Sequence, residues 1–167
     1  MILRVPGARV APQTMNSAFN ASRGCAAIVV GLACAAPALA AEYKAIGNDP
    51  AILYDAPTLR GTRTFVAPRG MPVEVIVAQG DWARIRDASG GLAWVEKKML
   101  VDRRTVVVNA SAGATAHANA EEASPAVFRA QTGVLLDMVA PPSGGWVQVR
   151  HRDGQAGFVK VGEVWGE

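Results

Sequence analysis

The feature that most constrains the fold of this chain is an internal repeat. Residues 80–95 align without a gap on residues 144–159 at an offset of 64, and residues 70–77 align on residues 133–140 at an offset of 63. The matching residues are Trp82 with Trp146, Ile85 with Val149, Arg86 with Arg150, Gly90 with Gly154, Trp94 with Phe158, and Val95 with Val159. A repeat of this length indicates two homologous domains of about 60 residues each, because each repeat is one structural unit.

Each repeat has the pattern of a small all-β domain. In repeat one, Val73–Val77 is rich in β-branched residues, and tight turns separate it from Trp82–Asp87 and Leu92–Val95. In repeat two, Asp153-Gly154 lies between two segments of alternating apolar residues, which is a strong signal for a β-hairpin. The predicted fold class is therefore all-β.

The first forty residues have the pattern of a cleaved signal peptide. Arg23 precedes the apolar run of residues 26–36, which is shorter than the roughly 20 apolar residues that a membrane-spanning helix needs. Residues 38–40 have the small side chains that signal peptidase accepts. We therefore expect cleavage after Ala40 and a mature chain that is periplasmic or secreted and does not span the membrane.

Two alternatives to cleavage stay open, namely an uncleaved membrane anchor and a lipidated Cys34. The segment before the apolar run is long if translation starts at Met1, and Met15 would give a more usual length. With residues 1–40 set aside as the signal peptide, the predicted domains are residues 41–102 and residues 103–167.

Charge and cysteine content exclude several classes of protein. The chain has 17 basic and 14 acidic residues, but three of the basic residues and none of the acidic ones lie in residues 1–40. Residues 41–167 are therefore neutral, which argues against nucleic-acid binding because such binding needs a surplus of cations. Both cysteines also lie in residues 1–40, so the mature chain has no disulfide, cysteine-ligated zinc or thiol nucleophile.

The alternation of side chains along a β-strand divides the repeated strand into two faces. Ala83 and Ile85 of repeat one, like Val147 and Val149 of repeat two, form an apolar face. The opposite face carries Trp82, Arg84 and Arg86 in repeat one, and Trp146, Gln148 and Arg150 in repeat two. An aromatic ring beside arginine is typical of a ligand platform. The alternative is that each tryptophan covers the end of a small core or packs against the other domain.

The motif Gly-Asp-Trp-x-x-Ile-Arg, followed by a turn, a glycine and aromatic-Val, resembles the bacterial SH3-like (SH3b) domain, in the form found in tandem in secreted proteins of Gram-negative bacteria. Ala51–Pro57 is similar to the first strand and the start of the long first loop of that family. Repeat two departs from the pattern, because Thr105–Asn109 is followed by the alanine-rich segment Ala110–Ala126. We expect this segment to be a long loop with one helical turn.

The resemblance implies a strongly bent, five-stranded barrel in each repeat. It also implies a role in binding or targeting, toward cell-wall peptides or protein partners. Tyr54 then lies in the first loop of repeat one, where it is a candidate for lining a binding groove. The candidate ligand-binding residues are therefore Tyr54, Trp82, Arg84, Arg86, Trp146 and Arg150. Trp94 and Phe158 are predicted to pack in the core or at its rim.

The sequence offers little catalytic chemistry. His117 and His151 have no neighbouring histidine or glutamate at the spacing of metal ligands, so we expect no metal site. Glu121-Glu122 is an acidic pair in a segment without the pattern of a cleft, and a solvated loop explains it. No serine lies in a Gly-x-Ser-x-Gly motif. We therefore expect neither enzymatic activity nor a cofactor.

Two hypotheses for the function follow. The first is a secreted, non-catalytic tandem module that binds peptidoglycan stem peptides or a protein of the cell envelope. The second is a structural subunit of an envelope assembly, in which the two barrels pack as one rigid unit. A buried face between the barrels that contains both Trp82 and Trp146 would favour the second hypothesis. A groove lined by Tyr54 and Trp82 and open to solvent would favour the first.

Overall fold

The computed structural model describes residues 41–167, so the predicted signal peptide, its cleavage site and Cys34 lie outside the described residues. Seven strands form barrel 1, namely β1 (Glu42–Ile46), β2 (Ala51–Tyr54), β3 (Arg63–Ala67), β4 (Pro72–Gln79), β5 (Trp82–Arg86), β6 (Leu92–Glu96) and β7 (Leu100–Val101). Seven more form barrel 2, namely β8 (Thr105–Val108), β9 (Ala114–His117), β10 (Ala126–Ala130), β11 (Leu135–Met138), β12 (Trp146–Arg150), β13 (Ala156–Lys160) and β14 (Val164–Trp165). A 3₁₀ turn precedes the last strand of each barrel, at Lys97–Met99 and Val161–Glu163. The all-β prediction is confirmed for the described residues.

The two sheets have the same strand order, which is β3-β2-β6-β5-β4-β1-β7 in barrel 1 and β10-β9-β13-β12-β11-β8-β14 in barrel 2. Each sheet has seven strands where the family resemblance implied five. The first added strand is β1, which precedes β2 and pairs with both β4 and β7. The second is β7, whose two residues pair with Ala45 and Ile46. Ala51–Tyr54 is therefore the second strand of its barrel, and Tyr54 ends that strand rather than lying in a loop.

The prediction for Ala110–Ala126 was wrong. The segment contains strand β9, which pairs with β10 and β13, and it contains no helical turn. Gly113 has a positive φ of 77° and turns the chain into β9, where Ala114 and Ala116 face the core. Thr105–Val108 is therefore the counterpart of β1, and β9 is the counterpart of β2.

Each barrel encloses its own apolar core, and the alternation predicted for the repeated strand is confirmed. Ala83 and Ile85 are buried in barrel 1, and Val147 and Val149 are buried in barrel 2. The intervening residues of β5 and β12 are half-buried or exposed. Trp94 and Phe158 lie outside both core clusters of buried residues. Both are half-buried on the outer faces of β6 and β13, where they alternate with buried residues of the same strand.

The two barrels fall within one compact unit and touch directly. The buried Thr105 hydroxyl donates a hydrogen bond of 2.8 Å to the Gly70 carbonyl oxygen across the junction. Tyr43 of β1 packs edge to face on Trp165 of β14, with ring centroids 5.3 Å apart, and the Arg104 guanidinium lies 5.7 Å from the Tyr43 centroid. Burial, followed by the nearby Glu74 carboxylate, raises the pKa of the Tyr43 hydroxyl above its ordinary value. The junction therefore combines a buried hydrogen bond with an edge-to-face aromatic pair.

Candidate binding face

A row of side chains crosses the outer face of barrel 1. Tyr54 at the end of β2 is paired with Trp94 of β6, and Trp94 is paired with Arg84 of β5. Residues directly opposite each other in a sheet project from the same face. On the other side of Tyr54, Arg63 of β3 is its register partner. We call Tyr54, Arg63, Trp82, Arg84 and Trp94 the aromatic face.

Trp82 lies over Tyr54 on this face. The two rings meet edge to face, with centroids 5.5 Å apart and planes at 88°. Tyr54 is only 5% exposed, whereas Trp82 is half-buried and is absent from the core cluster of barrel 1. The ring of Trp82 therefore packs on an outward-facing tyrosine and does not fill the core. Trp82 is also not part of the aromatic pair at the barrel junction, which is Tyr43 with Trp165.

The charges of the aromatic face are mostly positive. Arg84 and Arg63 are exposed, and neither forms an ion pair with any of residues 41–167. Glu96 is paired with Trp82 across the sheet, but its carboxylate lies 2.8 Å from the ammonium of Lys98. That hydrogen bond raises the pKa of Lys98. The face therefore presents aromatic rings between two guanidinium groups that have no acidic partner in the described chain.

Arg86 and Arg150 project from the same side of their strands as the tryptophans with which the sequence grouped them, but they have different neighbours. Arg86 follows Arg84 by two residues along β5, and its guanidinium lies 3.1 Å from the Glu74 carboxylate. Arg150, its counterpart, lines a cleft at the junction of the two barrels. Of the six predicted residues, the structure therefore brings together Tyr54, Trp82 and Arg84.

Barrel 2 has the same arrangement with different side chains. His117 replaces Tyr54 and meets Trp146 edge to face, with ring centroids 5.6 Å apart. Phe158 is the register partner of His117 and of Gln148, so Gln148 stands where barrel 1 has Arg84. The Nδ1 atom of His117 lies 2.8 Å from the Ser124 carbonyl oxygen, to which it donates as Nδ1–H. This bond ties His117 to its own loop.

That loop, residues 118–125, is also tied to the outer face of barrel 2. Lys160 is the register partner of Trp146, and its ammonium pairs with the carboxylate of Glu122 in the loop. The hydrogen bond lowers the pKa of Glu122 and raises the pKa of Lys160. In barrel 1 the corresponding position is Glu96, whose partner Lys98 belongs to the adjacent 3₁₀ turn and not to the loop. The equivalent tryptophans therefore have different surroundings.

Sequence reasoning missed three residues of these faces, and two of them, Trp94 and His117, had a signal. Trp94 lies between the buried Ala93 and Val95, so the same alternation that placed Trp82 outward places Trp94 outward. His117 lies at the offset of 63 from Tyr54 that also relates Phe65 to Phe128. Arg63 lies in a strand whose pairing with β2 is irregular, so its register is not readable from the sequence alone.

Neither a cluster of metal ligands nor a membrane-spanning helix is found in residues 41–167. This part of the chain has no group of three or more histidine, cysteine, aspartate or glutamate side chains placed to hold a metal ion. None of its helices has the length and apolar character required to span a membrane. His151 lies 3.0 Å from Asp153 and stacks at a tilt on Phe128, so both described histidines have neighbouring partners.

Comparison with known proteins identifies the repeat. The family model described as bacterial SH3 domain matches residues 47–102 and again residues 110–166, which together make up more than half of the chain. The match confirms the resemblance drawn from the sequence and the tandem arrangement of two SH3-like domains. No curated protein matches the chain.

Two solved structures from Trichomonas vaginalis are similar over part of their length. NlpC2 has 10% sequence identity and a TM-score of 0.35, over 77% of this chain and 49% of that chain. NlpC1 has 9% identity and a TM-score of 0.36, over 79% of this chain and 48% of that chain. The chain thus spans about half the length of these two structures.

Proposed function

Because the chain belongs to the bacterial SH3 domain family, we propose that it is a non-catalytic binding module of the cell envelope. Its partner is a peptide, either the stem peptide of peptidoglycan or a segment of an envelope protein. The observation that carries this proposal is the aromatic face, where Trp82 lies over Tyr54 outside the core and beside Arg84, which has no ion pair within residues 41–167. Half-exposed aromatic rings next to arginine are the side chains that most often dominate binding energy.

Barrel 1 supports peptide binding better than barrel 2 does. Its aromatic face has the guanidinium of Arg84, where barrel 2 has the neutral amide of Gln148. In barrel 2 the ion pair of Glu122 with Lys160 holds a loop against the face that carries Trp146. Beside Trp82 the ion pair of Glu96 with Lys98 involves only the adjacent 3₁₀ turn, whereas at Trp146 a peptide has to compete with an ion pair that also holds a loop.

Replacement of Trp82 by alanine tests the proposal. The ring packs on Tyr54 and not in the core, so its loss costs an aromatic pair worth about 0.5–1.5 kcal/mol together with some buried area. That is less than the roughly 3–5 kcal/mol expected for a core tryptophan, and we expect the variant to stay folded by circular dichroism. Retention on purified peptidoglycan, or on an envelope extract, should fall at least tenfold, as expected for a hot-spot residue.

Trp146→Ala is the matched control, since it removes the equivalent ring from barrel 2. We expect this variant to be retained like the unchanged chain. Equal loss of retention in both variants would place the binding surface on both barrels. A folded Trp82→Ala variant that binds normally would remove the aromatic face from the proposal. Peptidoglycan recovered from the assay should be uncleaved, and released fragments would contradict the absence of catalysis.

A second candidate is a structural role within an envelope assembly. The observation in its favour is the direct contact between the barrels, through Thr105 with Gly70 and Tyr43 with Trp165. Neither Trp82 nor Trp146 takes part in those contacts, which supports the binding role instead. Failure of the unchanged chain to be retained on peptidoglycan and on envelope extract would favour the structural role.

The location that we propose is the periplasm or the medium outside the cell. This rests on residues 1–40, with Arg23, the apolar run of residues 26–36 and the small residues at 38–40. A chain cleaved after Ala40 would begin one residue before β1 and would lose no described residue.

A further inference from the structure

A cleft lies at the junction of the two barrels, away from the aromatic face. Its volume is about 670 Å³, which is within the range of ligand pockets. The turn between β3 and β4 contributes Arg69 and Gly70, the segment between the barrels contributes Arg103, and Thr105 is the first residue of β8. Barrel 2 contributes residues 133–137, around the start of β11, and residues 150–152, at the end of β12.

The charged groups of the cleft are four arginines, at positions 69, 103, 150 and 152, and one carboxylate, that of Asp137. Asp137 forms an ion pair with Arg103. Asp153, next to the cleft, lies 3.0 Å from His151 and 3.9 Å from Arg152. Arg69 and Arg150 form no ion pair with any residue of the described chain. Two guanidinium groups of the lining are therefore without a counter-ion.

Comparison of the two repeats shows how Arg150 comes to be unpaired. In barrel 1, Glu74 is the register partner of Arg86 and binds its guanidinium at 3.1 Å. In barrel 2, the equivalent register partner of Arg150 is Asp137, whose side chain is shorter by one methylene. Asp137 instead forms an ion pair with Arg103, which lies in the segment between the barrels. The carboxylate therefore pairs with an arginine of the adjacent strand in barrel 1, but with an arginine of the linker in barrel 2. Arg150 lines the cleft and has no ion pair within the described chain.

We propose that this cleft binds a carboxylate-bearing ligand, with Arg150 and Arg69 as the groups that hold the carboxylate. Guanidinium groups bind carboxylates through paired hydrogen bonds. The half-buried Val134 and Leu135 line the same cleft and offer apolar surface to the rest of the ligand. The apolar surface beside these guanidinium groups suits the carboxylate of an organic acid better than inorganic phosphate, which has no apolar part.

The probe for this site is a short peptide, N-acetyl-Ala-Ala with a free carboxylate, compared with its neutral amide. Each is titrated into the whole chain at fixed ionic strength, and backbone amide resonances are followed by NMR. We expect the acid to cause saturable shifts for residues 133–137 and 150–152, and the amide to cause none. Arg150→Gln should weaken binding of the acid at least tenfold.

Two further variants keep the test decisive. Arg86→Gln is the matched control, because it removes the equivalent arginine of barrel 1, outside the cleft, and should leave affinity unchanged. Asp137→Asn removes the carboxylate of the cleft and frees Arg103, so affinity for the acid should rise severalfold. This increase cannot arise from partial unfolding, and it tests the proposal even if Arg150→Gln does not fold.

Several results would overturn the proposal. Equal binding of acid and amide would show that the carboxylate is not recognised. Equal losses in Arg86→Gln and Arg150→Gln would show a general effect of charge. Tighter binding of inorganic phosphate at the same residues would show a phosphate site, and the absence of saturable shifts with the acid would show that the cleft does not hold a carboxylate.

Discussion

Gly113, at the turn into β9, provides a quantitative test of how barrel 2 is built. Its φ is +77°, and a Cβ added there would lie 2.5 Å from the Ala130 carbonyl oxygen of the neighbouring strand. Gly133 has a φ of +84° but open space around the equivalent Cβ. Gly162 has neither a positive φ nor a close neighbour. Alanine at these three positions therefore separates the cost of backbone strain from the cost of the steric overlap.

The expected magnitudes follow from these geometries. A left-handed alanine costs about 1–2 kcal/mol, and the smaller entropy of the unfolded chain returns about 0.4–1 kcal/mol, so Gly133→Ala should lose about 0.5–1.5 kcal/mol. Gly113→Ala bears the same strain and adds about 1–3 kcal/mol for overlap with a backbone atom that cannot rotate away. Its total loss of unfolding free energy should therefore be about 2–4 kcal/mol. Gly162→Ala should be neutral or slightly stabilising.

Thermal unfolding monitored by circular dichroism measures the series. For a chain of this size roughly 3–6 °C of Tm corresponds to 1 kcal/mol, so Gly113→Ala should melt about 6–24 °C below the unchanged chain. Gly133→Ala should melt only a few degrees below it. Equal midpoints for the two variants would refute the reasoning, because the overlap with Ala130 would then be relieved without cost. In that case the pairing of β9 with β10 would not depend on the close approach at Gly113.

Two further predictions concern the junction and the leader. Thr105→Val removes the buried hydroxyl that donates to the Gly70 carbonyl oxygen, so the unfolding free energy should fall by about 1–3 kcal/mol. Thr132→Val, which loses an exposed hydroxyl bond to Ala110, should change it by less than about 1 kcal/mol, and equal losses would contradict a role for the junction. Protein recovered from the periplasm should begin at Ala41 by intact mass, whereas a retained leader or an acylated Cys34 would contradict the proposed cleavage.

The internal repeat and the two-residue period of the strands predicted most of the fold. The offsets of 64 and 63 located equivalent strands correctly from β4 to β6 and from β11 to β13, because turn glycines and core residues fix the register there. The alternation in Trp82–Arg86 also identified which residues face the core. The alternation is a local signal, since it depends only on neighbouring residues along one strand, and the repeat requires only comparison of one part of the sequence with another.

What the sequence did not reveal depends on contacts between distant segments. Strand β9 is rich in alanine and lacks the β-branched residues that mark a strand, and it forms because β10 and β13 flank it. The sequence grouped Tyr54 with Trp82 as candidates for one groove, but it did not reveal their edge-to-face contact, which joins strands β2 and β5. The choice of Asp137 between Arg150 and Arg103 is likewise set by the linker, which has no counterpart in repeat one.

The two barrels show how one fold carries two different surfaces. In both, the residues that alternate inward form closed apolar cores, with Ile85 in barrel 1 and Val149 at the equivalent position in barrel 2. The residues between them project outward, so a change there alters the surface without leaving a cavity. Barrel 2 has Gln148 where barrel 1 has Arg84, so its outer face has one cation fewer. Arg150 of barrel 2 has no ion pair within the described chain, so it adds a cation to the junction cleft. Because these outward positions change independently of the cores, barrel 1 and the junction cleft are free to hold different ligands on one chain.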